Sequence, residues 1–335
     1  GNGRTVVRGG YGIYYNTTVA QTFATFQRGN GAAVRNINVV PTDPGAPAFN
    51  RERITQATGA RALTSDLNVF ASEFADPMVH SFFVSLDREL WANNALSISY
   101  WGTRSRSLPL AQIQNINLTG TRDGRRLWST ANRPNPAFGN IFVTESTGTQ
   151  DYNGMVLTYT RRFVNGFSLQ GSYHWSKTDG VAYTNSAGAF TNFGALATPS
   201  DPQNPRVDFG PGDFDMRHRF TLTGIWEPKL RSLTGAAAQL INGWQLSTRS
   251  IAQSGFAFNA TTGRDDNGDS IFNDRPAGIG YNAFTLPNYI TIDLRLTRNF
   301  KIREKSNVEV IGEAFNIQNR VNVTNVNRNF GPGAS

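Results

Sequence analysis

Residues Phe167 to Ser176 read FSLQGSYHWS. Phe167, Leu169, Gly171, Tyr173 and Trp175 fall on one side of an extended chain, and Ser168, Gln170, Ser172, His174 and Ser176 on the other. This is a period of two without exception, the mark of a strand with one dry face and one wet face. The preceding run MVLTYTRRF sets Met155, Leu157, Tyr159 and Phe163 against Val156, Thr158, Thr160 and Arg162. The two runs are joined by VNG, whose Asn165-Gly166 suits the positive φ of a tight hairpin.

The pattern recurs outward in both directions. Phe82, Val84 and Leu86, then Leu96, Ile98 and Tyr100, form the apolar faces of two runs joined across Trp91 to Asn94. Further runs carry Phe220, Leu222, Gly224 and Trp226; Trp244, Leu246 and Thr248; Ile290, Ile292, Leu294 and Leu296; Val308 and Val310; and, near the start, Val7, Tyr11, Ile13 and Tyr15. Everything legible is strand. The connections alternate in length: those near 92–94, 164–166 and 300–306 are short and 228–242 is moderate, whereas 16–78, 105–151, 178–215 and 254–288 are long, polar and rich in Gly, Asn and Pro. A compact sandwich rarely tolerates so many long loops, but a transmembrane β-barrel has them on one side with short turns on the other.

Strands of about 9–11 residues match a tilted crossing of a roughly 25 Å apolar band. Phe167 and Trp175 are separated by about 26 Å of strand, the spacing that two interfacial girdles need. Trp91, Phe163, Trp226, Trp244 and Phe300 are expected at the short-turn girdle, and Tyr15, Tyr100 and Trp175 at the long-loop girdle. Arg249, Asp293, Arg295, Glu309 and Glu313 lie mid-strand on the face opposite the apolar one, where a water-filled lumen solvates them. The expected fold is an all-β, antiparallel transmembrane barrel with short periplasmic turns and long extracellular loops. Its expected spans are 5–15, 79–91, 95–104, 152–163, 167–177, 216–227, 243–253, 289–299 and 307–316, with IFVTES (141–146) as the arm of an extracellular hairpin. An odd number of spans implies an incomplete barrel, about 9–10 strands of a larger one.

Composition agrees and excludes other classes. The chain has 335 residues, 33 Gly and 12% aromatics but only 39% hydrophobic residues, so it is polar and yet rich in large rings. There is no cysteine, which removes disulfides, thiol nucleophiles and cysteine metal sites. The net charge is +8, with 32 basic residues of which only Lys177, Lys229, Lys301 and Lys305 are lysines. The arginines are scattered, without a run or a helical stripe, which speaks against nucleic acid. No apolar run is long enough for a spanning helix. No Gly-x-Ser-x-Gly, His-Glu-x-x-His or Walker loop occurs, so no enzyme is expected.

The ordered set TVVRGGYGIYY, VSLDREL, NGFSLQGSYHWSK, GDFDMRHRFTLTGIW, NGWQLS…AQSGFAF, DNGDSIFNDRPAG and IDLRLTRNFKI…VEVIGEAFNIQNRVN resembles the C-terminal barrel half of TonB-dependent outer-membrane receptors, of the kind with a carboxypeptidase-regulatory-like domain. The resemblance covers nearly the whole chain and is weakest around 20–75 and 180–205. It implies a barrel of 22 or so strands in the bacterial outer membrane, filled by an N-terminal plug, coupled through a TonB box to an energy-transducing partner and importing a large solute such as a siderophore or oligosaccharide. Residues 1–335 are then expected to be part of the barrel domain, with plug, TonB box and last strand absent. A secreted adhesin or glycan-binding module, with Phe167, Leu169 and Tyr173 in a dry protein core, and a passive porin are the alternatives.

Two candidate sites follow. In GRDDNGDSIFNDRP (263–276), Asp265, Asn267 and Asp269 have the alternating spacing of a Ca²⁺ loop, with Asp274 as a further ligand. An EF-hand reading nevertheless fails at Ser270, where Gly belongs, and at Pro276, where a bidentate Glu belongs. The other reading is a polar loop whose Asx and Gly residues make local turns. DFDMRHRF gathers Asp213, Asp215, Arg217, His218 and Arg219 at the head of a strand. Together with the lumenal Arg249, Asp293 and Arg295, the cluster Arg217, His218 and Arg219 is a candidate contact for ligand or plug, against the alternative of a solvated charge ladder at the barrel mouth.

Overall fold

A computed structural model describes residues 3–16, 26, 66–182, 198–229, 232, 234–303 and 306–330. The chain forms β1 (Thr5–Tyr15), β2 (Leu67–Phe70), β3 (Met78–Trp91), β4 (Asn94–Gln114), β5 (Asn117–Arg122), β6 (Arg125–Ser129), β7 (Ile141–Val164), β8 (Phe167–Val181), β9 (Gly210–Pro211), β10 (His218–Trp226), α1 (Gly235–Ile241), β11 (Trp244–Gln253), β12 (Ala257–Phe258), β13 (Phe284–Thr285), β14 (Tyr289–Arg303) and β15 (Ser306–Ala314). The main sheet runs β1-β3-β4-β7-β8-β10-β11-β14-β15, every neighbouring pair antiparallel. All nine expected spans are present as these nine wall strands. The wall is unclosed: β1 and β15 are its two edges. Much of the 16–78 and 178–215 connections, and the turn at 304–305, lie outside the described residues.

Cross-strand register shows why the sequence period matters. One outer row passes Val7, Leu86, Ile98, Leu157, Tyr173, Phe220, Ala252 and Ile290 through successive partners. A one-residue slip would bring inner-face residues such as Asp87, Ser99, Thr158, Ser172 or Thr221 into this row, so the apolar alternation fixes the register. Among the described residues no second layer covers it. Val7 is 69% exposed, Tyr173 37% and Trp226 51%, whereas a soluble sandwich would bury such residues. The adhesin alternative required a dry protein core against this face, and the structure has none there among the described residues.

The apolar belt has sharp charged borders. At the long-loop end, His80, Arg104, Asp151 and Asp179 are successive cross-strand partners on the outer face. Arg106 closes on Asp151 at 2.5 Å, and Lys177 on Asp179 at 2.6 Å. At the short-turn end, the Arg298 guanidinium lies over Trp244 and Phe300 (5.3 and 4.7 Å), and Arg161 over Phe167 (5.5 Å). These rings let the cations sit at an interface while covering apolar surface. On β3, His80 and Arg88 bound Phe82, Val84 and Leu86; on β7, Asp151 and Arg161 bound Met155, Leu157 and Tyr159. Those separations correspond to about 26 and 33 Å of strand, or about 20–25 Å of height at a tilt of about 40°.

The inner face is mostly polar. Arg249 opposes Asp293, Arg295 opposes Glu313 at 3.6 Å, and Arg8 pairs with Asp87. It is not uniformly polar, because Phe83 and Trp101 lie on it, stacked at 4.7 Å. Beyond Ala314 the chain leaves β15 but stays on the open rungs of β14. Ile317 N donates to Ile292 O (3.0 Å), and the Asn322 side chain both accepts from Ile290 N and donates to Ile290 O (2.9 Å each). One amide side chain thus replaces a missing ladder rung.

Three expectations need correction. IFVTES is the upper part of β7, paired with the upper part of β4, so these strands rise well past the membrane and alternation fades where both faces meet protein or water. The 105–151 connection contains the β5–β6 hairpin, and 228–242 contains α1, whose GAAAQLI favours helix once the short strand-to-strand turn is not required. The buried apolar residues, among them Leu110, Ile113, Ile116, Trp128, Val181, Phe258 and Leu286, all lie beyond the belt, in the cap built by the long connections.

Leu157→Arg puts a guanidinium at mid-belt on the outer face, at a cost of about 2–4 kcal/mol. Fractionation and protease protection in cells should show this variant depleted from the outer membrane, whereas Thr158→Arg, one residue along and facing inward, should assemble as the parent does.

Candidate functional site

The cap's chemistry starts from two turns. Asp123 and Gly124 both have positive φ (51° and 76°), which closes the β5–β6 hairpin and presents Arg122, Arg125 and Arg126 at its tip. In 265–274 the carboxylates fold the loop around themselves. Asp265 accepts from the backbone N–H groups of Gly268 (2.7 Å), Asp269 (3.0 Å) and Ser270 (2.9 Å). Asn267 accepts from Asp269 N (2.9 Å), and Asp269 from Ile271 N (2.7 Å). Asp274 Oδ2 accepts from the N–H groups of Asp266 (2.6 Å) and Asn267 (3.0 Å).

This loop then ties its neighbours together. Trp128 N donates to Asn267 O (2.7 Å), Asn267 Nδ2 to Ser200 O (2.9 Å), Asn273 Nδ2 to Thr198 O (2.9 Å) and Asn140 Nδ2 to Ser270 Oγ (2.8 Å). Arg275 pairs with buried Asp208, and Tyr281 donates to Asp213 (2.8 Å). Ile271 packs on Ile113, Ile116 and Trp128.

Between the hairpin tip and this loop lies a cleft of about 420 Å³, whose charged lining is Arg122, Arg125, Arg126, Arg264, Arg275, Asp123, Asp201, Asp266 and Asp274, with 276–279 along one side. Two of its arginines are committed: Arg126 makes two hydrogen bonds to Asp201 (2.7 and 2.5 Å), and Arg275 holds Asp208. The others meet their carboxylates more loosely. Arg125 donates to the Arg275 backbone carbonyl and stands 3.5 Å from Asp274 Oδ1 and 3.8 Å from Asp266, and Arg264 is 3.6 Å from Asp266. Burial pushes the Asp269 carboxyl up to about 7, with the charges of Asp265 and Asp274 adding to the rise. Burial also raises Asp274, against the pull of the Asn267 N–H and the Arg125 charge. Burial, followed by the neighbouring Asp213, raises the Tyr281 hydroxyl.

An open antiparallel wall with an uncovered apolar belt and a polar cap above one rim has a match among known families. The model described as the outer membrane beta barrel domain matches residues 1–280. The chain belongs to this family. Among solved structures, the outer membrane transporter YddB from Escherichia coli superposes with a TM-score of 0.54 at 9% identity, covering 95% of this chain and 35% of that one. The FrpB iron transporter from Neisseria meningitidis aligns at a TM-score of 0.40 and 12% identity (76% and 28% covered). BauA, the ferric preacinetobactin receptor from Acinetobacter baumannii, aligns at 0.42 and 11% (95% and 31%). No curated protein matches the chain in sequence. The chain thus spans about a third of the length of the transporter whose fold it shares. It is an outer-membrane β-barrel chain, and its cap stands on the long-loop side.

In this outer-membrane barrel the expected site residues are dispersed. His218 faces outward at the belt's upper border, its Nδ1 2.7 Å from the Tyr173 hydroxyl, whereas Arg219 is on the inner face beside His174. Arg217 pairs with buried Asp215 (3.2 Å). Arg249, Asp293 and Arg295 lie deeper on the inner face, where Asp293 accepts from Asn316 N (2.8 Å). Asp265, Asn267 and Asp269, and Asp274 through Oδ2, accept from the loop's own N–H groups, and among the described residues no group of three or more Asp, Glu or His side chains is placed to hold a metal. The arginines at 122, 125, 126, 264 and 275 were missed. The Asp-Gly turn in TRDGRRLWS was a readable hairpin signal, but nothing local says that residues 140 positions apart share a cleft.

Gly268 has φ +82°, and a Cβ there would overlap the Trp128 carbonyl. Gly268→Ala should therefore loosen the cap while leaving the wall intact, which limited proteolysis of intact cells would read as faster cleavage within 115–140 and 262–282. The cap is also expected to respond to pH. Asp269 holds its proton up to about pH 7 when folded but only to about pH 4 in an open chain, so the stability from its neutral form is full below about 4 and lost as pH rises through about 7. Proteolysis of the cap should quicken over that interval, and Asp269→Asn should flatten the profile.

Proposed function

We propose that this chain is the wall and outer cap of a TonB-dependent receptor that imports a large solute, such as a siderophore or oligosaccharide, across the outer membrane. The observation that carries the reading is the combination of an unlayered apolar belt with a folded, cleft-bearing cap on the long-loop rim. A purely structural wall has no use for a cap with its own buried core. The inner face, with Arg249–Asp293 and Arg295–Glu313 facing each other, offers polar partners to a plug filling the lumen. The kinship to the solved transporter's fold supports a barrel of that kind, the rest of the wall and the plug being contributed by further polypeptide. The open edges β1 and β15 would pair with those added strands.

Energised import predicts a specific phenotype. The native strain and one lacking this protein would be compared for uptake of a panel of ferric chelates and oligosaccharides, with and without a protonophore. Uptake of at least one solute should fall on deletion and on collapse of the proton gradient. Uptake that depends on the protein but survives the protonophore would make it a passive pore, and unchanged uptake across the panel would remove import altogether.

A further inference from the structure

We infer that the cap cleft is a binding site for a ligand bearing a carboxylate or phosphate group, with Arg122, Arg125 and Arg264 as its recognising residues and Asp266 as a resident competitor. The inference rests on the receptor reading and names the ligand chemistry of its cap. Three guanidinium heads gather on one residue. Arg125 and Arg264 approach the Asp266 carboxylate from different loops at 3.8 and 3.6 Å, and Arg122 Nη2 donates to the Asp266 backbone carbonyl at 3.2 Å. The ion-pair separations are too long for hydrogen bonds: Arg125 donates through Nη2 to the Arg275 backbone carbonyl, which leaves Arg125 Nη1 and Arg264 Nε facing Asp266 without a hydrogen bond. Arg126 and Arg275 in the same cleft show the contrast, since each is closely engaged by its own Asp. The Asp274 Oδ1 atom, buried and 3.5 Å from Arg125 without a hydrogen bond, is a second carboxylate competing for that guanidinium.

The chemistry follows from these distances. A carboxylate or phosphate oxygen entering the cleft can take up the Arg125, Arg264 and Arg122 donors in charge-assisted hydrogen bonds that the present carboxylates do not make, and Arg forks suit both groups equally. The cleft volume of about 420 Å³ accommodates a small polyanion or the anionic end of a larger solute. Asp266 neutralises the guanidiniums while the site is empty and must be displaced from them when an anion arrives. Its backbone N–H is separately anchored to Asp274 (2.6 Å), so the side chain can be changed without unfastening the loop.

That competition makes the test two-sided. Binding of inorganic pyrophosphate, of citrate and of glucosamine as a cationic control would be measured by equilibrium dialysis on outer-membrane vesicles carrying the full protein, with vesicles lacking it as baseline. Arg122→Gln and Arg264→Gln should each weaken anion binding about tenfold. Asp266→Asn should strengthen it, and Lys177→Gln, on the outer belt border, should change nothing. A purely structural role for these residues would move the arginine and aspartate variants in the same direction. Preference for pyrophosphate assigns a phosphate ligand and preference for citrate a carboxylate ligand. Unaltered affinity in the arginine variants, weakened affinity in Asp266→Asn, or glucosamine bound as tightly as the anions overturns the inference. Intact anion binding in a protein that imports nothing would instead overturn the receptor reading and leave the cleft assignment standing.

Discussion

The constraint on which the whole molecule depends is that a peptide group has no water to bond to in hydrocarbon. Every N–H and C=O within the belt must find a partner in the neighbouring strand, and each wall strand between β1 and β15 is paired antiparallel on both sides. Given that ladder, side chains have only two directions. The outer direction is populated by the row from Val7 to Ile290, and the inner mostly by Ser, Thr, Arg and Asp, with Phe83 and Trp101 as apolar exceptions. The borders follow from the same physics: a charged group costs little only where it can reach water, so His80, Arg104, Asp151 and Asp179 line up where the belt ends.

Above that border the problem is inverted. The long connections are polar, and few apolar residues are available to hold them, yet the cap is folded around Ile113, Ile116 and Trp128 with side-chain amides and carboxylates as its fasteners. Asp265, Asn267, Asp269 and the Oδ2 atom of Asp274 accept from the loop's own N–H groups. A loop that resembles an ion-binding sequence is thereby closed by its own backbone, and becomes the piece to which the hairpin tip and the 198–215 segment attach. Burying Asp269 completely is tolerable because that carboxyl remains neutral over the acidic range. The arrangement fastens the loop beside the cleft, where Arg125 holds the Arg275 carbonyl while Arg122 and Arg264 approach Asp266 at 3.2 and 3.6 Å.

How much of this was legible depends on how local the cause is. The wall strands β3, β4, β7, β8, β10, β11, β14 and β15 could be placed within a few residues at their short-turn ends, because Asn93 and Asn165 take positive φ and the apolar alternation runs up to them. Their upper ends were misjudged on β4 and β7, since alternation reports a difference between two environments and that difference vanishes above the membrane. Helix α1 was passed over because seven residues of GAAAQLI carry no amphipathic period. His218 sits at the rim, and its outward position there is set by its strand register and by the Tyr173 hydroxyl 2.7 Å from its Nδ1.

The sequence by itself determined the β class, the register-fixing alternation, the alternation of short turns with long connections and therefore the outer-membrane wall, because these rest on contacts between residues close in the chain and on a solvent that sorts them by polarity. Only the tertiary structure decided that the described parts of the long connections meet in a cap, that the 265–274 loop closes on its own amides, and that Arg122, Arg125 and Arg264 meet over Asp266. Those contacts join residues as far apart as 122 and 266, and polar groups can exchange one partner for another at little cost, so no local pattern encodes which of the available partners each one takes.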